Sequence, residues 1–123
     1  MGSIRVGDAG SHRDSVAVYS SLLAKGNVEY IAERLAYAGS GVAVLKNAKA
    51  AIESHIRGLP ITEQQETIAK ILNALMDLEK DYGVVEEQYI RERMDRFKIY
   101  LYVRLGNIML DHVKLIRGKT GGN

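Results

Sequence analysis

Cysteine and tryptophan are absent from the chain, and proline occurs once. Without cysteine there is no disulfide framework and no thiolate for a metal or for nucleophilic attack, which excludes a stapled secreted scaffold. No apolar run approaches the roughly 20 residues that span a bilayer, so no membrane partner is expected. The N-terminal "MGSIRVGDAG" has no apolar signal core, and the cytoplasm is the expected compartment.

What is there is enough apolar material for a core. Hydrophobic residues make up 46% and charged residues 26% of 123, the composition of an ordinary globular domain. A chain of this length packs as one domain with a radius of gyration of about 14 Å. Net charge is a mild +2, but its placement is uneven. Residues 59–83 set Lys70 and Lys80 against Glu63, Glu66, Asp77, Glu79 and Asp81, a balance of −3. Residues 84–119 set Arg91, Arg93, Arg96, Lys98, Arg104, Lys114, Arg117 and Lys119 against Glu86, Glu87, Glu92, Asp95 and Asp111, a balance of +3. Such a dipolar chain can pair its own halves, or a copy or partner of complementary charge.

The first 13 residues, rich in Gly and Ser and without periodicity, read as a flexible tail, and residues 119–123 as another. Between them, residues 14–118 form the expected single domain. Gly26, Gly39, Gly58, Gly83, Gly106 and Gly118 punctuate helical patterns, glycine being the residue that ends a helix at least cost. The cap candidates are Asp14, Asn27, Ser40 and a Thr62–Gln65 capping box behind Pro60. The alanines among residues 43–51 imply a close approach of another helix. The stripe Ile68, Ile71, Leu75, Leu78, Tyr82, Val85, Tyr89 keeps a strict 3-4 spacing through Gly83, which predicts one long helix or two nearly collinear ones.

"MDRFKIYLYVRLG", residues 94–106, is ambiguous by itself. As a strand it alternates Phe97, Ile99, Leu101 and Val103 against Lys98, Tyr100, Tyr102 and Arg104. The helical spacing Ile90, Met94, Phe97, Leu101, Leu105, Ile108, His112, Leu115 extends much further, and no second strand exists to pair with it. The segment therefore reads as helix, bent or split at Gly106–Asn107 if anywhere. The expected fold is all-α: a helical bundle of four to six helices with a long C-terminal helix.

Catalytic chemistry finds little to use. His12, His55 and His112 are far apart and sit in no metal-ligand spacing. His112 reads as a satisfied, partly buried side chain. "RGKTGGN" lacks the upstream glycine and the preceding strand of a phosphate loop. Glu87–Arg91 and Glu92–Arg96 have the spacing of helical ion pairs. No catalytic residue, metal site, cofactor or small-molecule substrate is expected, and the chain does not read as an enzyme.

What remains is surface. Tyr89, Arg93, Arg96, Tyr100 and Arg104 follow one another at helical spacing, with Lys98 beside them and Lys114, Arg117 and Lys119 beyond. Cations alternating with tyrosine rings suit a phosphate backbone whose bases stack on the aromatics. Arg93, Arg96, Lys98, Tyr100, Arg104, Lys114, Arg117 and Lys119 are accordingly the candidate nucleic-acid contacts. Packing of the tyrosines with arginines reaching past them is the competing account. Tyr19, Tyr30 and Tyr37 suit a core or a subunit interface.

The stretch "VAVYSSLLAKGNVEYIAERLAYAGSGVAVLKNAKAAIESH", Val16 to His55, resembles the N-terminal part of the small helical subunit of archaeal type I-A CRISPR interference complexes (Cascade). "LEKDYGVVEEQYIRER", Leu78 to Arg93, is similar to a later helix of that family. The resemblance implies a noncatalytic subunit that stacks in copies along a ribonucleoprotein and helps hold the guide–target duplex or the displaced DNA strand. Family members often carry a small β region between helical halves, for which "RGLP" leaves no room. The expected function is a helical subunit of a nucleoprotein assembly, with other protein subunits, copies of itself and nucleic acid as partners. The alternative is a helical protein-interaction adaptor, chaperone or viral structural subunit without nucleic-acid contact.

Overall fold

The computed structural model describes residues 15–38, 43–82 and 88–121, the side chains of residues 81–82 and 119–121 excepted. Five helices account for almost all of them: α1 (Val16–Ala24), α2 (Val28–Tyr37), α3 (Ala43–Arg57), α4 (Ile61–Tyr82) and α5 (Gln88–Gly121). Among the described residues there is no strand, and the fold is the all-α bundle with a long last helix. Residues 94–106 lie inside α5, which runs without interruption through Gly106 and Asn107. The expected N-terminal tail, the Ser40 cap and Gly83 lie outside the described residues. At the other end the helix extends to Gly121, past the start of the expected tail.

Local chemistry explains most of the boundaries. Ser15 caps α1, its hydroxyl accepting the Val18 N–H at 3.3 Å, so the cap falls one residue after the expected Asp14. At the other end Gly26 takes φ +75°. Its N–H donates to Leu23 O at 3.1 Å and that of Asn27 to Leu22 O at 2.9 Å, the paired bonds of a Schellman stop. Asn27 does precede α2, but its side chain makes no capping bond. The Thr62–Gln65 capping box does not form either. Helix α4 starts directly after Pro60, placing Thr62 inside the first turn. Gln64 Nε2 reaches back to Leu59 O at 2.8 Å, while Gln65 turns to His112.

Packing pairs α1 with α3, α4 with α5, and α2 with α4 and α5. Ala48 and Ala51 on α3 are fully buried, and their missing bulk lets α1 and α3 approach closely. Tyr19, Ile31, Leu35, Ile52, Ile56, Ile68, Ile71, Leu75, Phe97 and Leu101 fill the centre. Helices α4 and α5 run antiparallel: Glu79 meets Lys98, Met76 meets Tyr102 and Gln65 meets His112. The heptad 68–89 therefore does not belong to one rod or to two collinear ones. Ile68, Ile71, Leu75 and Leu78 are buried in α4, and folding back against α5 supplies the cover that a straight continuation lacks. Tyr89, the far end of that pattern, is exposed on α5.

A buried guanidinium joins α5 to α2. Ala38 is extended, with ψ 149°, so the last carbonyls of α2 have lost their intrahelical donors. Arg34 O takes the Ala38 N–H at 2.8 Å. Leu35 O accepts from Arg93 Nε at 3.1 Å and from Nη2 at 2.6 Å, and Ala38 O accepts from Nη2 at 2.8 Å. The cation sits where the helix dipole favours it, with the Tyr89 ring 6.0 Å away. Arg93, one of the expected phosphate contacts, is only 7% exposed, and its Nε and Nη2 are engaged by the carbonyls at the end of α2. Replacing Arg93 by Met should cost about 2–4 kcal/mol in urea unfolding, because two carbonyls lose charge-assisted bonds. Arg96→Met, at an exposed site, should stay within about 0.5 kcal/mol. Equal losses for the two variants contradict the clamp.

Candidate functional site

The tyrosine-arginine face exists as a helical face, but most of it points into the bundle. Arg104 Nε lies 2.7 Å from Glu53 Oε2 on α3, and the Tyr100 hydroxyl donates to the same carboxylate oxygen. Lys49 Nζ stands 5.2 Å from the centre of the Tyr100 ring, whose neighbour Phe97 is stacked at 6.2 Å. Lys98 Nζ is 3.1 Å from Glu79 Oε2 and 3.4 Å from Asp95 Oδ1. Together with the buried Arg93, four of the eight expected contacts are thus held by the protein's own acceptors. Arg96, Lys114 and Arg117 are exposed, and the Lys119 side chain lies outside the described residues. Glu92 accepts from Gln88 Nε2 at 3.0 Å, in place of the expected pairing with Arg96.

Electrostatics follow from these contacts. Burial acts to lower the Lys98 pKa, but the hydrogen bonds and charges of Glu79 and Asp95 outweigh it and hold the ammonium above its ordinary value. Burial, then the hydrogen bond to Glu53 and its charge, raise the Tyr100 phenol well above the tyrosine range despite the nearby Arg104. Of the other tyrosines, Tyr19 is in the core, whereas Tyr30 and Tyr37 are exposed on α2. His112 is half-buried, its Nδ1 3.2 Å from Gln65 Nε2.

The opposite side of α5 carries a feature absent from the sequence-based expectations. Ile99, Tyr102, Val103, Met109, Leu110, Val113 and Ile116 are each between 49% and 62% exposed. Six positions repeat as heptads: Ile99, Gly106 and Val113 fall seven apart, and Tyr102, Met109 and Ile116 fall seven apart between them. That is the 3-4 spacing of an apolar seam between two helices, about 25 Å long from Ile99 to Ile116. Met76 of α4 is exposed beside it, its sulfur 3.9 Å from the Tyr102 hydroxyl. A shallow depression of about 600 Å³, lined by Met76, Ile99 and Tyr102 with Glu79, Asp95 and Lys98, opens at this end. The signal was legible in principle. "IYLYVRLGNIMLDHVKLI" contains more apolar residues than one buried face can use, and the surplus recurs at spacings of three and four.

A second depression of about 550 Å³ lies between the α1–α2 turn and α4, bordered by Glu29, Glu33, Lys70 and Asp77. Among the described residues no three His, Asp or Glu side chains gather at metal-binding distance. Among the same residues no helix is long and apolar enough to cross a membrane.

No family model matches the chain, and neither the curated proteins nor the solved structures contain a match to it.

The raised Tyr100 value bears on stability at alkaline pH. In the unfolded chain a tyrosine releases its proton near pH 10, before the folded Tyr100 does. The folded state then binds more protons, so this contribution to stability is complete below about pH 10 and is lost as pH rises further. Urea unfolding across that range should show the decline, shallower in Tyr100→Phe. An identical slope in the variant contradicts the Glu53–Tyr100 linkage.

Proposed function

We propose that the protein is a noncatalytic helical interaction module, which uses the outer face of α5 to dock another protein helix. The carrying observation is the heptad seam Ile99–Ile116, left exposed by a bundle that already has a filled core. Seven side chains, each about half exposed, offer on the order of 700 Å² of apolar surface, at or beyond the largest patch of a typical monomer. Surface of that size on one rigid helix is suited to helix-on-helix recognition. The noncatalytic reading is supported by where the titratable groups are used: Glu53, Glu79 and His112 each serve a contact between helices.

A second reading, a helical subunit of a nucleoprotein assembly, draws on Arg96, Lys114 and Arg117, the exposed remainder of the basic face. Arg96 and Lys114 are five helical turns apart on the same side of α5, about 27 Å. The resemblance of residues 16–55 to the small Cascade subunit also supports this reading. The mild net charge of +2 favours docking to protein over an independent hold on nucleic acid.

One experiment weighs the two. Leu110→Glu with Val113→Glu should release protein partners from the native assembly while leaving the bundle's melting temperature unchanged, since both side chains are exposed. Arg96→Glu with Lys114→Glu should leave those partners bound. If instead the charge reversal strips a bound nucleic acid and the apolar variant changes nothing, the nucleoprotein reading replaces the docking one.

A further inference from the structure

Helix α5 has 34 residues, against 22 for the α4 it packs on, or about 51 Å against 33 Å. The buried side of α5 ends at Ile108 and His112, whereas the exposed seam continues to Ile116. A seam needs a partner helix of matching spacing, and from Ile99 to Val113 the pattern about Gly106 is its own match. Seven residues either way lie Ile99 and Val113; four either way, Tyr102 and Leu110; three either way, Val103 and Met109. Eleven either way lie Asp95 and Arg117, opposite charges at the two ends of the same face.

We propose that two copies of this chain pair their α5 helices antiparallel about Gly106, forming a two-fold dimer through the outer seam. The inference rests on the docking reading of that face and names its occupant. Antiparallel pairing brings Ile99 of one copy level with Val113 of the other, and Asp95 level with Arg117. A parallel pair sets Asp95 beside Asp95 and Arg117 beside Arg117, and loses that complementarity. The Asp95 side chain is 59% exposed, so its carboxylate can serve both Lys98 and a partner cation. The apolar surface, on the order of 700 Å² per copy, is close to the ~800 Å² per partner of a stable interface, and the arrangement is isologous as two-fold symmetry requires. Gly106 fits the centre. A mid-helix glycine is unfavourable relative to alanine, and a Cβ there meets nothing within 4 Å in a single copy. Pairing gives the glycine a use, because two helix backbones can approach most closely where neither bears a side chain.

The full chain is tested in solution by light scattering across the micromolar range. The expected mass is twice the 13.6 kDa of one chain, falling to the single value in Met109→Glu with Val113→Glu, helical circular dichroism retained. The chain contains no cysteine, so introduced thiols report without interference. Ile99→Cys mixed with Val113→Cys should form a mixed disulfide dimer under mild oxidation, while either variant alone should not. Self-cross-linking by each variant alone indicates a parallel pair and overturns the register. A monomer at every concentration overturns self-pairing. If that monomer binds an apolar fluorescent dye, and the Met109→Glu/Val113→Glu variant does not, the docking reading stands with another occupant. If it binds no dye, both readings fall.

Discussion

The orientation of the longest helix depends on the hydrogen bonds from Arg93 to the end of α2. A guanidinium is planar and presents its donors in a fixed fork, so bonding Leu35 O and Ala38 O together restricts the rotation of α5 about its axis as well as its position. Met94, Phe97, Leu101 and Ile108 then share the inward side and are buried. By the same rotation Ile99, Tyr102, Met109 and Val113 must point outward. The exposed seam is thus the geometric consequence of the internal clamp, since a helix that is apolar on two sides can bury only one of them within its own bundle.

Two apolar sides on one helix also explain why α5 shows less amphipathic contrast than α3 or α4. Those helices separate apolar and polar residues cleanly, as surface helices of a bundle do. In α5 the first half is polar on the outside, with Gln88, Glu92 and Asp95, and the second half is apolar there. A helix apolar all round is one that is buried all round. Residues 99–116 approach that composition while having bundle on one side only, which leaves the other side for the partner helix proposed above.

Helical periodicity carried the fold. The spacing from Ile90 to Ile108 outlasted the short alternation at 97–103, and the glycine that stops α1 was visible because only a residue tolerant of positive φ fits there. The antiparallel turn-back was concealed, because the heptad of α4 happens to stay in phase with Tyr89 across Gly83. Capping was read less well: Thr62 and Gln65 have the right spacing for a box, but Pro60 starts the helix and Gln65 is drawn to His112, 47 residues away. The basic face was legible as a pattern, but not the inward turn of half of its members. Spacing shows that Arg93, Tyr100 and Arg104 share a side, but not that α2 and Glu53 of α3 already occupy that side. Only the third dimension distinguishes a cation facing solvent from one facing a carbonyl.

The same allocation of charge bears on what force can hold a partner. The acidic residues 59–83 and the basic residues 84–119 fall on two helices that lie antiparallel, and Lys98–Glu79 joins them directly. One part of the dipole visible in the sequence is therefore paired inside the molecule, and Glu53 neutralises a further cation at Arg104. Cations paired in this way contribute little to counterion release, the main source of affinity for a phosphate backbone. Burial of apolar area is independent of that loss and is screened little by salt. Of the exposed cations of α5, Arg96, Lys114 and Arg117 flank the seam or lie at its end, where charge at a rim sets register and partner choice more than strength. Association driven by the seam should accordingly persist as ionic strength rises, whereas contacts resting on those three cations should weaken.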